Sequence, residues 1–420
     1  MTPDLESSES IDRVSRPGIA RLRSAAAVRE RCAAVHRWVA EGRSPHFSLD
    51  ESRLPRVADF VAEVTRAAYP DLKIPYHSRW RHFSVAGIDR WAAFAAELKG
   101  DSIARARAAV DLATVSVLLD AGAGDAWHYR EEATRLRLAR SEGLAVASLE
   151  MFRRGLFSSD PDQPCRVDSV ALANLEAPVL AQHFQVSATN PLIGVEQRAT
   201  LLRRLGRALA DRPELFATAP ARPGHLVDHF LSTSRDRSVA AATLLATVLD
   251  ALSSIWPAGF MVNGFPLGDA GRHPALRSGD VTDGIVPFHK LSQWLTYSLL
   301  EPLATAGLRV HAVDALTALA EYRNGGLLVD LGVICPRATF DLQTRHEVQS
   351  EPIVEWRALT VALIERLLEP LRASLKLDAS FTLPNLLEGG TWSAGRRIAL
   401  QLRPPNGPPP IAVAADGTVF

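Results

Sequence analysis

Apolar residues recur at intervals of three and four along most of this chain, the spacing of a helix that buries one face. Leu54–Ala68, Ser102–Leu119, Gly194–Ala210, Val239–Ser253 and Ile353–Leu375 all carry the pattern. It predicts further helices over Ile19–Ala40, Trp91–Leu98, His128 to about Phe157, Val167–Leu175, Gly224–Leu231, Val313–Leu319 and Tyr322–Asp330. Asp101 or Ser102 suits the cap of one of them. No heptad run, solenoid repeat or tandem duplication appears, so coiled coils and repeat arrays are set aside. The fold expected is mostly α: one compact multi-helix unit over 18–420, with two lobes at about 18–160 and 161–400. A polar leader over 1–17 precedes it. The tail RIALQLRPPNGPPPIAVAADGTVF alternates apolar residues about a proline turn and ends near a DG hairpin signal. It predicts a short β element near the C-terminus.

One long stretch breaks the helical spacing. Trp256–Ile285 holds six glycines and three prolines, too many for a long regular element. Long irregular segments inside compact proteins are usually functional. Within it GFPLGDAGRHP sets Asp269 between small neighbours, where a carboxylate can approach a ligand closely. A turn-satisfying Asp explains the same residues. Arg272 and His273 follow.

The next helix, PFHKLSQWLTYSLLEP, puts Lys290, Gln293, Trp294 and Tyr297 on one face. Phe288, Leu291, Leu295 and Leu299 form an ordinary core stripe opposite. Lys suits a phosphate, Gln a polar amide edge, and Trp and Tyr a planar group. The other reading is a buried interface helix with a snorkelling Lys. LAEYRNGG offers Glu321, Tyr322, Arg323 and Asn324, or simply a helix end. Glu355 and Arg357 flank Trp356 at the start of a very apolar helix, where a structural Glu–Arg network is expected. Towards the front, His77, Arg79, Trp80, Arg81, His82, Phe83 and Trp91 mix cations with aromatics, as do Asp125, Trp127 and His128 in AGAGDAWHYREE. HLVDH places His225 and His229 four apart but lacks HExxH and a third ligand. LEGGTWSAGR matches neither a Walker loop nor a dinucleotide fingerprint.

Composition narrows the partners. The 420 residues are 47% hydrophobic and 22% charged, with 47 basic side chains balancing 47 acidic ones. Nucleic-acid binders draw their affinity from a basic excess, so a small molecule is favoured over nucleic acid. Three cysteines without CxxC spacing argue against a disulfide scaffold. The acidic, polar start and the lack of any run near ~18 apolar residues predict a cytoplasmic protein with no membrane partner.

Taken together, GFPLGD, RHP, VPFHKLSQWLTYSLLEP, LTALAEYRNGGLLVDLGVI and EPIVEWRALTVALIERL resemble the uracil catabolism protein 4 family, from about Pro17 to the closing DGTVF. That resemblance implies a uracil-degradation route in which ribosylurea appears. The order of motifs is also similar to the queuosine 5′-phosphate N-glycosylase family, whose all-α fold is like that of helix-hairpin-helix DNA glycosylases. Its Phe-Arg-Asp, Tyr-Lys-Arg-Ala-Gln, Ala-Asp-Tyr-Arg and Glu-Val-Glu-Ile-Arg stretches fall on Leu267-Gly268-Asp269, His289 to Gln293, Ala320 to Arg323 and Ile353 to Arg357. An Arg is replaced by Gly268 and an Asp by Glu321. The resemblance implies hydrolysis of a phosphorylated ribosylurea or related fragment to a sugar phosphate plus urea, without cofactor or metal. Asp269 and Glu321 are the expected catalytic groups. Lys290, Gln293, Trp294, Tyr297, His289, Arg323, Arg272, His82, Phe83 and Trp127 are expected to hold the ligand, with Glu355 and Arg357 supporting. The rivals are a metal-dependent amidohydrolase using His225, Asp228 and His229, and a non-catalytic ligand-binding protein.

Overall fold

The computed structural model describes residues 16–414, apart from 219, 258 and 343. Most of the leader and the closing DG signal therefore lie outside the described residues. The described chain is mostly helical, and its strands form small two-stranded sheets. No helix among the described residues is long and apolar enough to cross a membrane.

The chain divides into two units, both discontinuous in sequence. Unit 1 gathers the chain up to His77, Phe260–Gln293 and Val313–Ala414; unit 2 gathers Ser78–Gly259 and Trp294–Ala312. Sequence reading drew continuous lobes instead, because periodicity carries no information about which distant segments pair.

In unit 1 the helix Ala25–Ala40 packs on Glu351–Glu365. Val28, Cys32 and Val35 meet Val354, Ala358 and Val361 there, with Phe288 and Ala320 completing the cluster. Tyr322–Asp330 packs on Trp392–Leu402 so closely that a Cβ on Gly395 would strike the Arg323 carbonyl. Strand Phe47–Leu49 pairs antiparallel with Ile334–Pro336. LEGGT forms a single π-helical turn against Leu54–Ala68, where a Cβ on Gly390 would lie 2.6 Å from Thr65 Oγ1. These glycines serve close packing.

The glycine-rich interruption is more ordered than its composition suggests. Phe260–Val262 pairs with Phe265–Gly268, and Ala270–Arg272 pairs with Ile285–Pro287, both antiparallel. The strands are three or four residues long, which is all the glycines and prolines allow.

Unit 2 is organised on Ser102–Leu118, buried on most faces and capped by Asp101, whose carboxylate accepts the Ala104 N–H at 2.8 Å. Ser169–Ala173 crosses Val195–Ala210 at Gly206, where a Cβ would lie 2.7 Å from the Ala173 nitrogen.

Four predicted elements are corrected. The helix expected from His128 is a hairpin, His128–Arg130 with Arg137–Ala139, followed by the helix Arg140–Arg153. Val313–Leu319 is a short 3-10 turn, Val313–Ala315, followed by extended chain. The long Ile353–Leu375 helix is two, Glu351–Glu365 and Leu368–Leu375. In the tail, RIALQL completes the helix Trp392–Leu402, and among the described residues only Val413–Ala414 forms a strand, parallel to His346–Glu347.

Candidate functional site

Asp269 sits at the joint between two of the short strands, directly after Gly268, which has a φ of 79° that only glycine adopts easily. This turn aims Asp269 at the start of the helix Lys290–Thr305. Its carbonyl accepts the N–H groups of Phe288 at 2.9 Å and His289 at 3.0 Å, and its carboxylate accepts the Lys290 N–H at 2.9 Å. A helix N-terminus leaves such donors unpaired and favours a negative charge beside them. Arg357 then closes a bidentate pair on the same carboxylate, with both N–H···O distances 2.8 Å. Its guanidinium carbon lies 4.1 Å from the centre of the Phe288 ring. Burial alone would raise the Asp269 pKa; Arg357, with the Lys290 amide and ammonium, outweighs it and holds the carboxyl below its ordinary value. Asp269 is therefore an ionised carboxylate inside the protein.

Glu321 belongs to the same unit and is driven the other way. It is half-buried and caps the helix Tyr322–Asp330, accepting N–H groups from Arg323 at 2.8 Å and Asn324 at 2.5 Å. Burial raises its pKa above the ordinary Glu value, and the two amides and the charges of Lys290 and Arg323 offset this only in part. Lys290 is itself buried, with 8% exposed, so its charge acts in a medium that screens it poorly. The unit thus holds an ionised carboxylate, a carboxyl whose pKa burial raises, and a lysine whose field reaches both.

A second buried network lies alongside on the Glu351 helix. Glu355 accepts from Ser44 Oγ at 2.5 Å and from His273 Nε2 at 2.8 Å. His273 Nδ1 accepts the Ala275 N–H at 3.1 Å, so Nε2 carries the hydrogen. The ring meets Trp38 edge-on, centroids 6.1 Å apart. Glu355 and Arg357, two residues apart on the helix, thus take different partners: Ser44 and His273 for the first, Asp269 for the second. Ser44 was missed because SPHF carries no signal beyond a turn.

Several expected ligand-holding residues are bonded to the protein itself. Gln293 donates to the Phe288 carbonyl at 3.0 Å and to Thr317 Oγ1 at 2.7 Å, while its oxygen accepts from the Thr317 N–H at 3.1 Å. It ties the helix to the extended 316–320 segment and has no spare donor for a ligand. His289, with a left-handed φ of 50°, donates from Nε2 to the Leu22 carbonyl at 2.9 Å. Burial lowers its pKa. Arg323 reaches the Gly407 carbonyl at 2.8 Å. Arg272 is exposed and donates to the Asp283 carbonyl at 2.6 Å, the strand alternation having turned it away from Asp269.

Other predicted residues lie in unit 2. Trp127 is a core residue there, its indole N–H donating to the Phe184 carbonyl at 3.0 Å. Phe83 packs on Trp80 with centroids 5.7 Å apart, and His82 meets Trp294 edge-on at 5.5 Å. Arg79 lies 5.5 Å over the Trp294 ring, and Tyr297 is fully buried. Of the HLVDH residues, Asp228 is gripped by Arg107 at 2.5 and 2.8 Å, and His225 Nδ1 bonds the Phe216 carbonyl at 2.7 Å. Among the described residues no three His, Cys, Asp or Glu side chains converge as a metal-binding group.

The model of a family described as "Protein of unknown function (DUF1688)" matches residues 21–420. Protein urg3 of Schizosaccharomyces pombe is 43% identical over 384 residues, 89% of this chain and 92% of the relative. Uracil catabolism protein 4 of Lachancea kluyveri is 38% identical over 434 aligned residues, 95% of this chain and 98% of the relative. Matched over nearly its whole length by that family and by both relatives, the chain belongs to the DUF1688 family, the family of uracil catabolism protein 4.

Proposed function

We propose that the protein is an N-ribosyl hydrolase of pyrimidine catabolism, which cleaves a phosphorylated ribosylurea or related nucleoside fragment with water to give a sugar phosphate plus urea. The pathway is carried over from the printed name of the Lachancea kluyveri relative. The reaction rests on one observation: Asp269 and Glu321 are held in the same unit with pKa values pushed in opposite directions. Two carboxyls separated in this way take the ionised and the acid roles in glycoside hydrolysis. Glu321 would give its proton to the departing urea nitrogen. Asp269 would stabilise the oxocarbenium-like sugar left behind, and Arg357 keeps it ionised for that task. Lys290 would hold the 5′-phosphate as a point charge. The likeness in motif order to queuosine 5′-phosphate N-glycosylase supports this chemistry and extends the proposal to a helix-hairpin-helix glycosylase-like architecture.

The full pairing of both Asp269 oxygens by Arg357 also favours a second reading, a protein that binds the ureide without consuming it. One assay separates them. Purified protein is mixed with ribosylurea, its 5′-phosphate, uridine and uridine monophosphate, and released sugar and urea are measured. Turnover of a ureide that is abolished in Asp269→Asn and Glu321→Gln is expected. No turnover of any of the four, or full activity in Asp269→Asn, overturns the hydrolase.

A further inference from the structure

A ureide presents a planar edge of N–H and C=O groups. A water-poor site reads such an edge with a side chain that has hydrogen-bonding capacity left over. Gln293 has no donor to give, because Phe288 and Thr317 use both. Asn324 differs. Its side chain is buried, with 2% exposed, and its Oδ1 accepts no hydrogen bond among the described residues. A buried carbonyl oxygen in that state is a cost to the folded protein, so its retention calls for an explanation.

The position of Asn324 supplies one. It lies three residues after Glu321, the N-cap of the Tyr322 helix, and its own N–H donates to the Glu321 carboxyl at 2.5 Å. The next residue pins this turn: a Cβ on Gly325 would lie 2.7 Å from Thr360 Oγ1 and 2.8 Å from the Trp356 indole. The Asn324 amide and the Glu321 carboxyl are thus carried on one closely packed turn. A group that protonates a leaving nitrogen and a group that grips the rest of the same leaving amide need this fixed relation.

We propose that Asn324 is the residue that recognises the ureide, its Oδ1 accepting an N–H of the ligand. An amide rotated by 180° offers NH₂ in the same place, so the ligand carbonyl is an equivalent partner. The assignment rests on the ureide reading of the site and adds to it the residue that sets specificity for the leaving group.

The test is calorimetric titration of the full-length protein with ribosylurea 5′-phosphate, and with ribose 5-phosphate, which lacks the ureide. Asn324→Leu is expected to weaken the first by about tenfold or more and leave the second unchanged. Asn324→Asp, which keeps an acceptor oxygen, should retain more affinity than Asn324→Leu. The ligand-free Leu variant should melt no lower than the wild type, because it removes an unpaired buried oxygen; that readout separates recognition from support of the fold. Unchanged ureide affinity in Asn324→Leu, or equal weakening of both ligands, overturns the assignment while leaving the hydrolase reading intact. Selective weakening in a protein that binds but never turns over the ureide upholds Asn324 and overturns the hydrolase. A wild type that binds no ureide overturns both.

Discussion

Replacing Arg357 by Met would leave the Asp269 carboxylate buried without its guanidinium partner, while the Lys290 N–H still reached one of its oxygens. The wild-type pair is 2% and 4% exposed and joined by two bonds of 2.8 Å, so almost no solvent can replace the lost guanidinium. Breaking a buried pair from one side costs about 3–5 kcal/mol, mostly the penalty of the abandoned charge. At about 2–4 °C per kcal/mol for a domain of ~150–250 residues, the melting temperature should fall by about 6–20 °C. The double variant Asp269→Leu/Arg357→Met removes both charges. It loses the helix cap, about 1 kcal/mol, and should otherwise recover most of the loss. Acidity provides an independent check. The folded pKa of Asp269 is depressed, so its contribution is present above the unfolded value of about 3.9 and is lost as pH falls through the folded value. Calorimetric melts of the two variants and the wild type, run from pH 7 to below 4, measure all of this. If Arg357→Met melts within about 2 °C of the wild type, or the double variant is no better than the single, the pair does not hold Asp269 as argued.

The same opposed carboxyls predict a bell-shaped pH profile of kcat/KM. Activity should fall below the ordinary carboxylate range as Asp269 takes up a proton, and fall again as pH rises through the raised Glu321 value; a wild-type profile with no basic limb would remove Glu321 from the acid role. Gln293→Leu removes the side-chain amide's bonds to the Thr317 N–H and hydroxyl and should cost about 1–3 kcal/mol in a denaturation experiment, a loss that adding Thr317→Val should partly reverse. Gly325→Ala forces a Cβ against Trp356 and Thr360 and should destabilise by about 1–3 kcal/mol, with Thr360→Ala in the same chain restoring part of it.

Helical spacing was a reliable guide where one face meets the core, as in Leu54–Ala68 and Val195–Ala210. It misled where good helix formers occupy a hairpin. His128–Arg130 and Arg137–Ala139 alternate about a turn whose Arg135 has a φ of 64°, a conformation that residue type does not announce. It misled again at RIALQL, whose apparent alternation belongs to a helix packed through Gly395. The Asp269, Lys290 and Glu321 constellation was legible because each sits at a punctuation mark, a Gly-framed turn or a helix start. Their partners were not. Arg357 pairing Asp269 across 88 positions, Ser44 reaching Glu355 across 311 and Thr317 saturating Gln293 across 24 are tertiary facts with no local signature. The Lys290 helix was read as having one polar-aromatic face, yet Lys290 to Leu300 is buried throughout, so periodicity could not tell a lined site from all-round packing.

The discontinuity of unit 1 bears on how the chain is made. Ser48 pairs with Cys335, 287 residues downstream, and Ser44 with Glu355. An emerging polypeptide cannot complete this unit until nearly all of it has left the ribosome, whereas the 78–259 stretch holds most of unit 2 in one continuous segment. Residues 16–77 must therefore wait for the rest of unit 1 while residues 78–259 are synthesised. A nonsense codon between Tyr322 and Ser350 would abolish the Asp269–Arg357 pair along with the folded home of Glu321, even though both carboxyl-bearing residues had already been translated.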